Sequence, residues 1–356
     1  MVRAFENAAT RSKTTSARMH SILCCSVCKN AAVKLPAWFA VLGVVASTLS
    51  LPWWMHLQAQ KIDAQSLPVW AYPVLPNAAS TPAKPLSDSD RKSVPGSAAS
   101  YSSKAIASLF VVPDWFPREH PKMPVVVMNG RAPNVGGCGH CHLPTGMGRP
   151  ENMSVAGLPK AYMMEQMEDF RNGSRKSSLT SFASTVHMIQ VAQNATPKEI
   201  EAGVDYFASM KPKKWIRVVE TDRVPLTKVG ALMMVVDDPA KTEPIGNRII
   251  EVPEDLEQTE LRNPHSGFVA YVPKGTLQKG RALTQTCTVC HGEDLCGKDN
   301  IPSIAGRSPS QMTRQLIDFQ TGARTGPHAA MMKPVVQGMT LAQMVTITGY
   351  LASLQP

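Results

Sequence analysis

An internal repeat constrains the fold of this 356-residue chain more than any other feature of its sequence. The pattern Cys-x-x-Cys-His occurs at Cys138–His142 and again at Cys287–His291, 149 residues later (287 − 138 = 149). The motif Ser-x-Ala-Gly recurs at the same spacing and ends at Gly157 and at Gly306. Two segments that match without a gap over this distance indicate two copies of one structural unit.

A longer motif extends the match between the copies. Gln-x-x-Asp-Phe-x-x-Gly-x-Arg covers residues 166–175 and, again 149 residues later, residues 315–324 (315 − 166 = 149). Each copy then closes with a segment of helical character that contains a tyrosine, Tyr206 in copy one and Tyr350 in copy two. The copies differ in length only before that closing segment, where copy one has the longer loop.

Each Cys-x-x-Cys-His motif has the spacing that attaches haem covalently. Cysteines three positions apart lie on one helical turn, so both thiols can bond the vinyl groups of one haem, and the adjacent histidine can bind its iron. The sequence therefore predicts two covalently bound haem c groups. The attaching cysteines and the axial histidines are Cys138, Cys141, Cys287, Cys290, His142 and His291.

Zinc binding and dithiol chemistry are the alternatives for these motifs. A structural zinc ion needs four Cys or His ligands in a tetrahedron, which the five residues of one motif cannot provide. A zinc ion shared by the four motif cysteines leaves both following histidines unexplained. A further cysteine, Cys296, is interpreted as a buried and inert thiol, with a reactive or intermolecular role as the alternative.

The repeat also predicts the second axial ligand of each iron. Met188 and Met332 both stand 18 residues before the closing tyrosine of their copy (206 − 188 = 18 and 350 − 332 = 18). A thioether is a soft, neutral ligand that raises the potential of a His-ligated haem. His187 is the alternative ligand in copy one, and Met331 in copy two. A role as core filler is the alternative for either methionine.

Helical signals dominate both copies. Apolar residues at helical spacing predict a helix over residues 161–170 that ends at Gly173. Thr196 and Thr340, each followed three positions later by Glu or Gln, predict capping boxes that open a helix in each copy. Between the copies, segments 216–219, 231–236, 248–252 and 267–272 are rich in β-branched and aromatic residues and predict short strands.

The predicted architecture is mainly α-helical, with two haem-binding domains joined by a small β-rich connector and preceded by a transmembrane helix. The predicted segments are a basic cytoplasmic tail (1–35), a transmembrane anchor or signal (36–55), a Pro/Ala/Ser-rich linker (56–105), domain one (106–215), the connector (216–265) and domain two (266–356). The composition of the linker predicts a disordered tether that cannot bury enough surface to order itself.

The N-terminal apolar segment predicts an uncleaved membrane anchor. Residues 37–55 carry no charge, are just long enough to cross a bilayer, and follow a basic stretch that should remain in the cytoplasm. A cleaved signal peptide is the alternative, although Leu57-Gln58-Ala59 lacks the small residue expected at its first position. Both interpretations place the haem domains in the periplasm, and the anchor places them at the inner membrane.

The net charge of +10 does not indicate nucleic-acid binding. Residues 1–105 contain 11 Lys or Arg against 4 Asp or Glu, whereas residues 106–356 contain 26 against 23. The basic excess therefore belongs mainly to the N-terminal part, where it serves membrane topology. No nucleic-acid partner is expected.

The combined motifs resemble the di-haem class I cytochromes c of the cytochrome c4 type, over about residues 106–215 and 266–356. The resemblance implies helical cytochrome c domains with His/Met ligation. It also implies that Arg175 and Arg324 help to neutralise haem propionates, with a solvated surface arginine as the alternative.

The resemblance further implies a supporting contact for the proximal histidine. In copy two Pro302 stands shortly before Ala-Gly, as is usual in this family, and its carbonyl region supports the histidine. In copy one Met153 stands at that offset, which leaves the equivalent hydrogen bond to His142 open and gives a reason for two different haem potentials.

The function implied is electron transfer, with no enzymatic activity of its own, between a quinol-oxidising complex or dehydrogenase and a terminal oxidase in a respiratory chain. The alternative is an electron-accepting cytochrome subunit of a periplasmic dehydrogenase complex. Peroxidase-type catalysis at haem is a third possibility, but it requires one iron to lose its sixth ligand.

Overall fold

The structure is a computed structural model that describes residues 66–74 and 86–356. The predicted tail at 1–35 and anchor at 36–55 lie outside these residues. Within the described ranges, no helix combines the length and the apolar character needed to cross a membrane.

Copy one is built from short helices around the first Cys-x-x-Cys-His motif. It begins with a small ribbon and helix, β1 (Arg91–Lys92), β2 (Tyr101–Ser102) and α1 (Ser103–Ala107). The elements that follow are α2 (Val125–Met128), β3 (Gly130–Arg131), β4 (Val135–Gly136), α3 (Cys138–His142), α4 (Lys160–Asn172), α5 (Ala183–Asn194) and α6 (Pro197–Ala208). The motif forms α3 itself, and α5 carries both candidate distal ligands.

The connector supplies most of the β-structure. Its elements are β5 (Ile216–Thr221), β6 (Arg223–Val229), β7 (Met234–Pro244), β8 (Ile250–Pro253), α7 (Leu256–Glu260) and β9 (Phe268–Pro273). Strand β9 is central in a three-stranded sheet, parallel to β5 and antiparallel to β8, while β6 and β7 form a hairpin. All four strands expected from the sequence are present. The sheet nevertheless includes β9, which lies beyond residue 265, where the connector was predicted to end.

Copy two repeats the helical pattern of copy one. Its helices are α8 (Thr276–Leu283), α9 (Thr288–His291), α10 (Pro309–Thr321), α11 (Ala329–Val336) and α12 (Leu341–Ser353). Helix α12 packs on strands β5 and β9, so the connector sheet and copy two share a core that includes Ile317, Met344 and Val272.

Local sequence signals account for the ends of these helices. The helix predicted over 161–170 is α4, and Gly173 ends it in the left-handed region with φ +79°; Gly322 ends α10 in the same way with φ +81°. Both capping boxes are confirmed. Thr196 caps α6 together with Glu199, and Thr340 caps α12 together with Gln343.

Part of the predicted tether is a packed strap. Trp70, Ala71 and Tyr72 are buried in the core shared by the connector and copy two. The Tyr72 hydroxyl donates to Asp318 Oδ1 at 3.0 Å, and Arg314 Nη1 donates to the carbonyl of Ala71 at 2.7 Å. The Tyr72 ring also meets Phe182 of copy one edge-on.

The prediction of a disordered tether is therefore wrong for residues 66–74 and 86–105. The compositional rule counts only the apolar surface that a segment brings with it. Here Trp70 and Tyr72 pack against surfaces supplied by α10 and by the loop before α5, so the segment becomes ordered through contacts distant in sequence.

We expect Tyr72→Phe to lower the free energy of unfolding by about 1–3 kcal/mol, because it removes a buried hydrogen bond to a carboxylate. Urea denaturation of the haem-loaded protein measures this loss. Tyr350→Phe is the matched control, since the Tyr350 hydroxyl makes no hydrogen bond within the described residues. Equal effects of the two substitutions would contradict a specific role for the strap.

Candidate haem sites

The first Cys-x-x-Cys-His motif forms the five-residue helix α3, which begins at Cys138 and ends at His142. Both cysteines are free thiols and partly buried. His142 Nδ1–H donates to the carbonyl of Met153 at 2.7 Å, which leaves Nε2 as the nitrogen available to a metal. Burial lowers the pKa of His142, so its imidazole is held in the neutral form that binds iron.

The second motif has the same arrangement. His291 Nδ1–H donates to the carbonyl of Pro302 at 2.8 Å, and burial lowers the pKa of this imidazole as well. The two bonds span the same number of residues, since 153 − 142 and 302 − 291 are both 11. The hydrogen bond left open for His142 is therefore present, because a backbone carbonyl makes it and the side chain at that position does not matter. A missing bond is not a source of different potentials.

A cavity lies beside α3 in copy one. It holds about 1250 Å³ of space, including its open mouth. Its lining includes all three functional side chains of the motif together with Met188 and His187. The structure therefore brings both candidate distal ligands of α5 to the haem side of copy one, and the choice of Met188 stays a prediction.

The two candidate ligands of copy two differ in their surroundings. Met332, on α11, is partly buried and packs against Phe319, Ala329 and Val336. Met331 is 56% exposed. This difference in burial favours Met332 as the ligand.

The two arginines of the repeated motif meet at the contact between the copies. Arg175 donates from Nη1 to Gln166 Oε1 of its own copy at 2.9 Å and from Nη2 to Gln315 Oε1 of the other at 3.1 Å. Arg324 mirrors this arrangement, with 3.0 Å to Gln315 Oε1 and 2.6 Å to Gln166 Oε1. The backbones of the two arginines also form an antiparallel bridge.

This pair of guanidinium groups is buried. Each arginine is 6% exposed and lies over the phenylalanine ring of its own motif, Phe170 or Phe319. The alternative of a solvated surface arginine is therefore wrong for both. Burial, and next the charge of Arg324, lower the pKa of Arg175 to about 10.

The arginine pair fits two haem propionates. Within the described residues the guanidinium groups donate to neutral glutamine oxygens and form no ion pair. The buried carboxylates of Asp169 and Asp318 act on their charge from a greater distance. Arg175 also lines the cavity of copy one. Propionate carboxylates placed here would pair with the guanidinium groups directly.

Four residues near the first site were not predicted from the sequence. His140, between the two cysteines, is only 4% exposed, whereas Val289 at the corresponding position of copy two is 80% exposed. Arg262, just after α7, donates to both the carbonyl and Nε2 of His140 at 2.6 Å. Arg149 and the buried Glu151 form an ion pair of 2.6 Å beside them. In the sequence, the one signal of this difference between the two motifs is the histidine between the cysteines of copy one.

The structure also bears on the remaining cysteines. Within the described part of the chain, no group of three or more His, Cys, Asp or Glu side chains is placed to hold a metal ion. Cys296 is exposed, which makes the prediction of a buried thiol wrong. Its loop turns outward, where the backbone N–H of Cys296 donates to Asp294.

Comparisons with known proteins agree with this geometry. No family model matches the chain. It is 25% identical over 224 residues to the thiosulfate dehydrogenase electron acceptor of Thiomonas intermedia, covering 62% of this chain and 80% of that protein. It is 24% identical over 224 residues to cytochrome c4 of Azotobacter vinelandii, covering 61% and 84%.

A shorter relative matches at higher identity. Cytochrome c-554(548) of Halomonas halodenitrificans is 31% identical over 80 residues, which is 22% of this chain and 96% of that protein. The long matches and the two motifs agree on two haem units, each with its own histidine support. The chain therefore belongs to the di-haem class I c-type cytochromes, binds two haem c groups covalently, and transfers electrons.

Proposed function

We propose that this cytochrome carries electrons between a quinol-oxidising complex or dehydrogenase and a terminal oxidase, and that it is a carrier rather than an enzyme. The observation that carries the proposal is the paired geometry of His142 and His291. Each imidazole is neutral, is oriented by a backbone carbonyl, and keeps Nε2 free for iron.

In this proposal Cys138 and Cys141 hold one haem, and Cys287 and Cys290 hold the other. Met188 and Met332 would supply the second protein ligand of the irons that His142 and His291 bind. With two protein ligands each, neither iron would have an open site for a substrate, and a thioether ligand would favour the ferrous state. The side chains of this chain then serve to bind, orient and shield the haems.

Arg175 and Arg324 have a second role in the proposal, as partners of the propionates. Because each guanidinium donates to glutamines of both copies, the propionates of the two haems would lie at the contact between the copies. This placement would bring the two haems close enough for electrons to pass between them.

The name of one relative favours a second candidate function. The Thiomonas intermedia protein is described as an electron acceptor of thiosulfate dehydrogenase. By analogy, this chain would accept electrons from a dehydrogenase held next to it. Stable co-purification with a catalytic chain would support this second function, whereas isolation as a free protein would support the carrier.

The proposed location is the periplasmic side of the inner membrane, with residues 36–55 as the anchor. Covalent attachment of haem c takes place outside the cytoplasm, and residues 37–55 carry no charge.

The distal ligands are tested by alanine substitutions at adjacent positions. We expect Met332→Ala to abolish the methionine-to-iron charge-transfer band of haem two and to lower its potential, because the thioether is lost. Met331→Ala is the matched control and should leave both unchanged. Absorption spectra recorded during a redox titration measure the bands and the potentials together.

Copy one offers the corresponding pair of substitutions. Met188→Ala should change haem one, and His187→Ala should not. If His187→Ala changes haem one and Met188→Ala does not, the ligand assignment for copy one is wrong. The same holds for copy two if Met331→Ala changes haem two and Met332→Ala does not. If intact-mass measurement of the unmodified protein shows fewer than two haems, the proposed function itself fails.

The anchor is tested by introducing charge at its centre. We expect the double substitution Val44→Glu/Val45→Glu to release the haem-loaded protein from washed membranes, because ionised side chains are costly in the bilayer core. Val69→Glu, at an exposed position beyond the anchor, is the control and should remain bound. If the intact mass of the unmodified protein is that of a chain lacking residues 1–59, the segment is cleaved and the anchor is contradicted.

A further inference from the structure

The connector makes one direct contact with the haem motif of copy one. Arg262 follows helix α7 and adopts φ +61°, in the left-handed region that is strained for residues with a side chain. Its guanidinium holds His140 from two sides, donating to the carbonyl through Nη1 and to Nε2 through Nη2, both at 2.6 Å. His140 lies directly before Cys141, the second cysteine of the motif.

The charges around this contact do not cancel. Arg149 is paired with Glu151 at 2.6 Å, and both side chains are largely buried. Arg262 makes no ion pair within the described residues; its hydrogen bonds go to His140 and, at 3.4 Å, to the carbonyl of Ile106. The cluster of Arg149, Glu151 and Arg262 therefore contains two positive charges and one negative charge in a setting with little water.

The cluster lies beside Cys141. Arg262 is hydrogen-bonded to His140, the residue directly before Cys141, and Glu151, the partner of Arg149, lines the same cavity as Cys141. The net positive charge of the cluster therefore lies near the edge of a haem bonded to this sulfur. Ferric haem carries one more positive charge than ferrous haem, so a nearby cation destabilises the oxidised form and raises the potential.

Copy two does not form a buried cluster of this kind within the described residues, because the residue matching Arg149 is the exposed Lys298 and the residue matching Glu151 is Asn300. Val289 stands where copy one has His140, and its side chain is 80% exposed. Cys290 is likewise exposed, whereas Cys141 is partly covered. Any charge near the thioether edge of haem two is therefore screened by solvent.

We propose that Arg262 of the connector, together with Arg149 of copy one, is a positioning and tuning site that raises the reduction potential of haem one selectively. The inference rests on the proposed attachment of haem one at Cys138 and Cys141. It assigns the inserted connector a redox role, since the connector adds a second cation, Arg262, beside the motif of copy one.

The test is a redox titration of the full haem-loaded chain carrying Arg262→Gln, which removes the charge. We expect the reduction equilibrium constant of haem one to fall about tenfold, equivalent to a shift of 59 mV for a one-electron couple. The potential of haem two should stay unchanged. The wave of haem one is identified as the one that Met188→Ala moves and Met332→Ala does not.

Three further variants separate charge from structure. Arg262→Lys keeps the positive charge and should retain most of the wild-type potential. Glu151→Gln removes the one negative charge of the cluster and should shift haem one in the opposite direction, to higher potential. Arg217→Gln is the control, because it removes an exposed connector arginine that pairs with Glu254 at 3.1 Å and is not part of the cluster.

The outcomes distinguish the two proposals. Intact mass gives the haem content of each variant before titration. If fewer than two haems are attached in the unmodified protein, the proposed function fails. If both haems are present but Arg262→Gln and Glu151→Gln do not shift haem one in opposite directions, or shift both haems equally, the tuning role is wrong and the electron-transfer function is unaffected. If Arg262→Gln does not fold, the Glu151→Gln variant decides: a higher potential of haem one supports the tuning role, and an unchanged or lower potential contradicts it.

Discussion

Two buried guanidinium groups, shared by two glutamine side chains, hold the copies of the repeat together. Arg175 and Arg324 each bond to the glutamine of their own copy and to that of the other, so neither copy satisfies its own polar groups alone. Each guanidinium also lies over a phenylalanine ring. Buried charges are costly without negative charge nearby, which the buried carboxylates of Asp169 and Asp318 supply and to which haem propionates would add in the proposed complex.

The rest of the chain reinforces this contact from outside. The strap at residues 67–72 hydrogen-bonds to α10 of copy two and packs against Phe182 of copy one. Arg314 of copy two links the strap and copy one, since it donates to the carbonyl of Ala71 in the strap and to the carbonyl of Pro150 in copy one. The connector packs its sheet on α12 and at the same time reaches copy one, where Trp115 Nε1 donates to the carbonyl of Leu261 at 2.8 Å. These links make the two haem units one body with a fixed orientation.

The local features of the molecule could be predicted from the sequence because they depend on neighbours along the chain. A helix over 161–170, the stop at Gly173 and the capping box at Thr196 follow from the spacing and type of adjacent residues. The haem motifs belong to the same class, since five consecutive residues contain two predicted attachment points and one predicted ligand. The strands of the connector were likewise indicated by their β-branched residues, although the pairing of β5 with β9 was not.

Tertiary structure decided the features that depend on residues distant in sequence. The hydrogen bond of His142 could not be judged from the side chain of Met153, because a backbone carbonyl makes it. The order of the strap could not be judged from its composition, because copy two and the connector supply the surface that buries it. The contact of Arg262 with His140 joins residues 122 positions apart. The sequence by itself therefore determined the two Cys-x-x-Cys-His motifs that predict covalent haem attachment, since this pattern is a local property, whereas the fold determined the electrostatic surroundings of the motifs, since fields act through space.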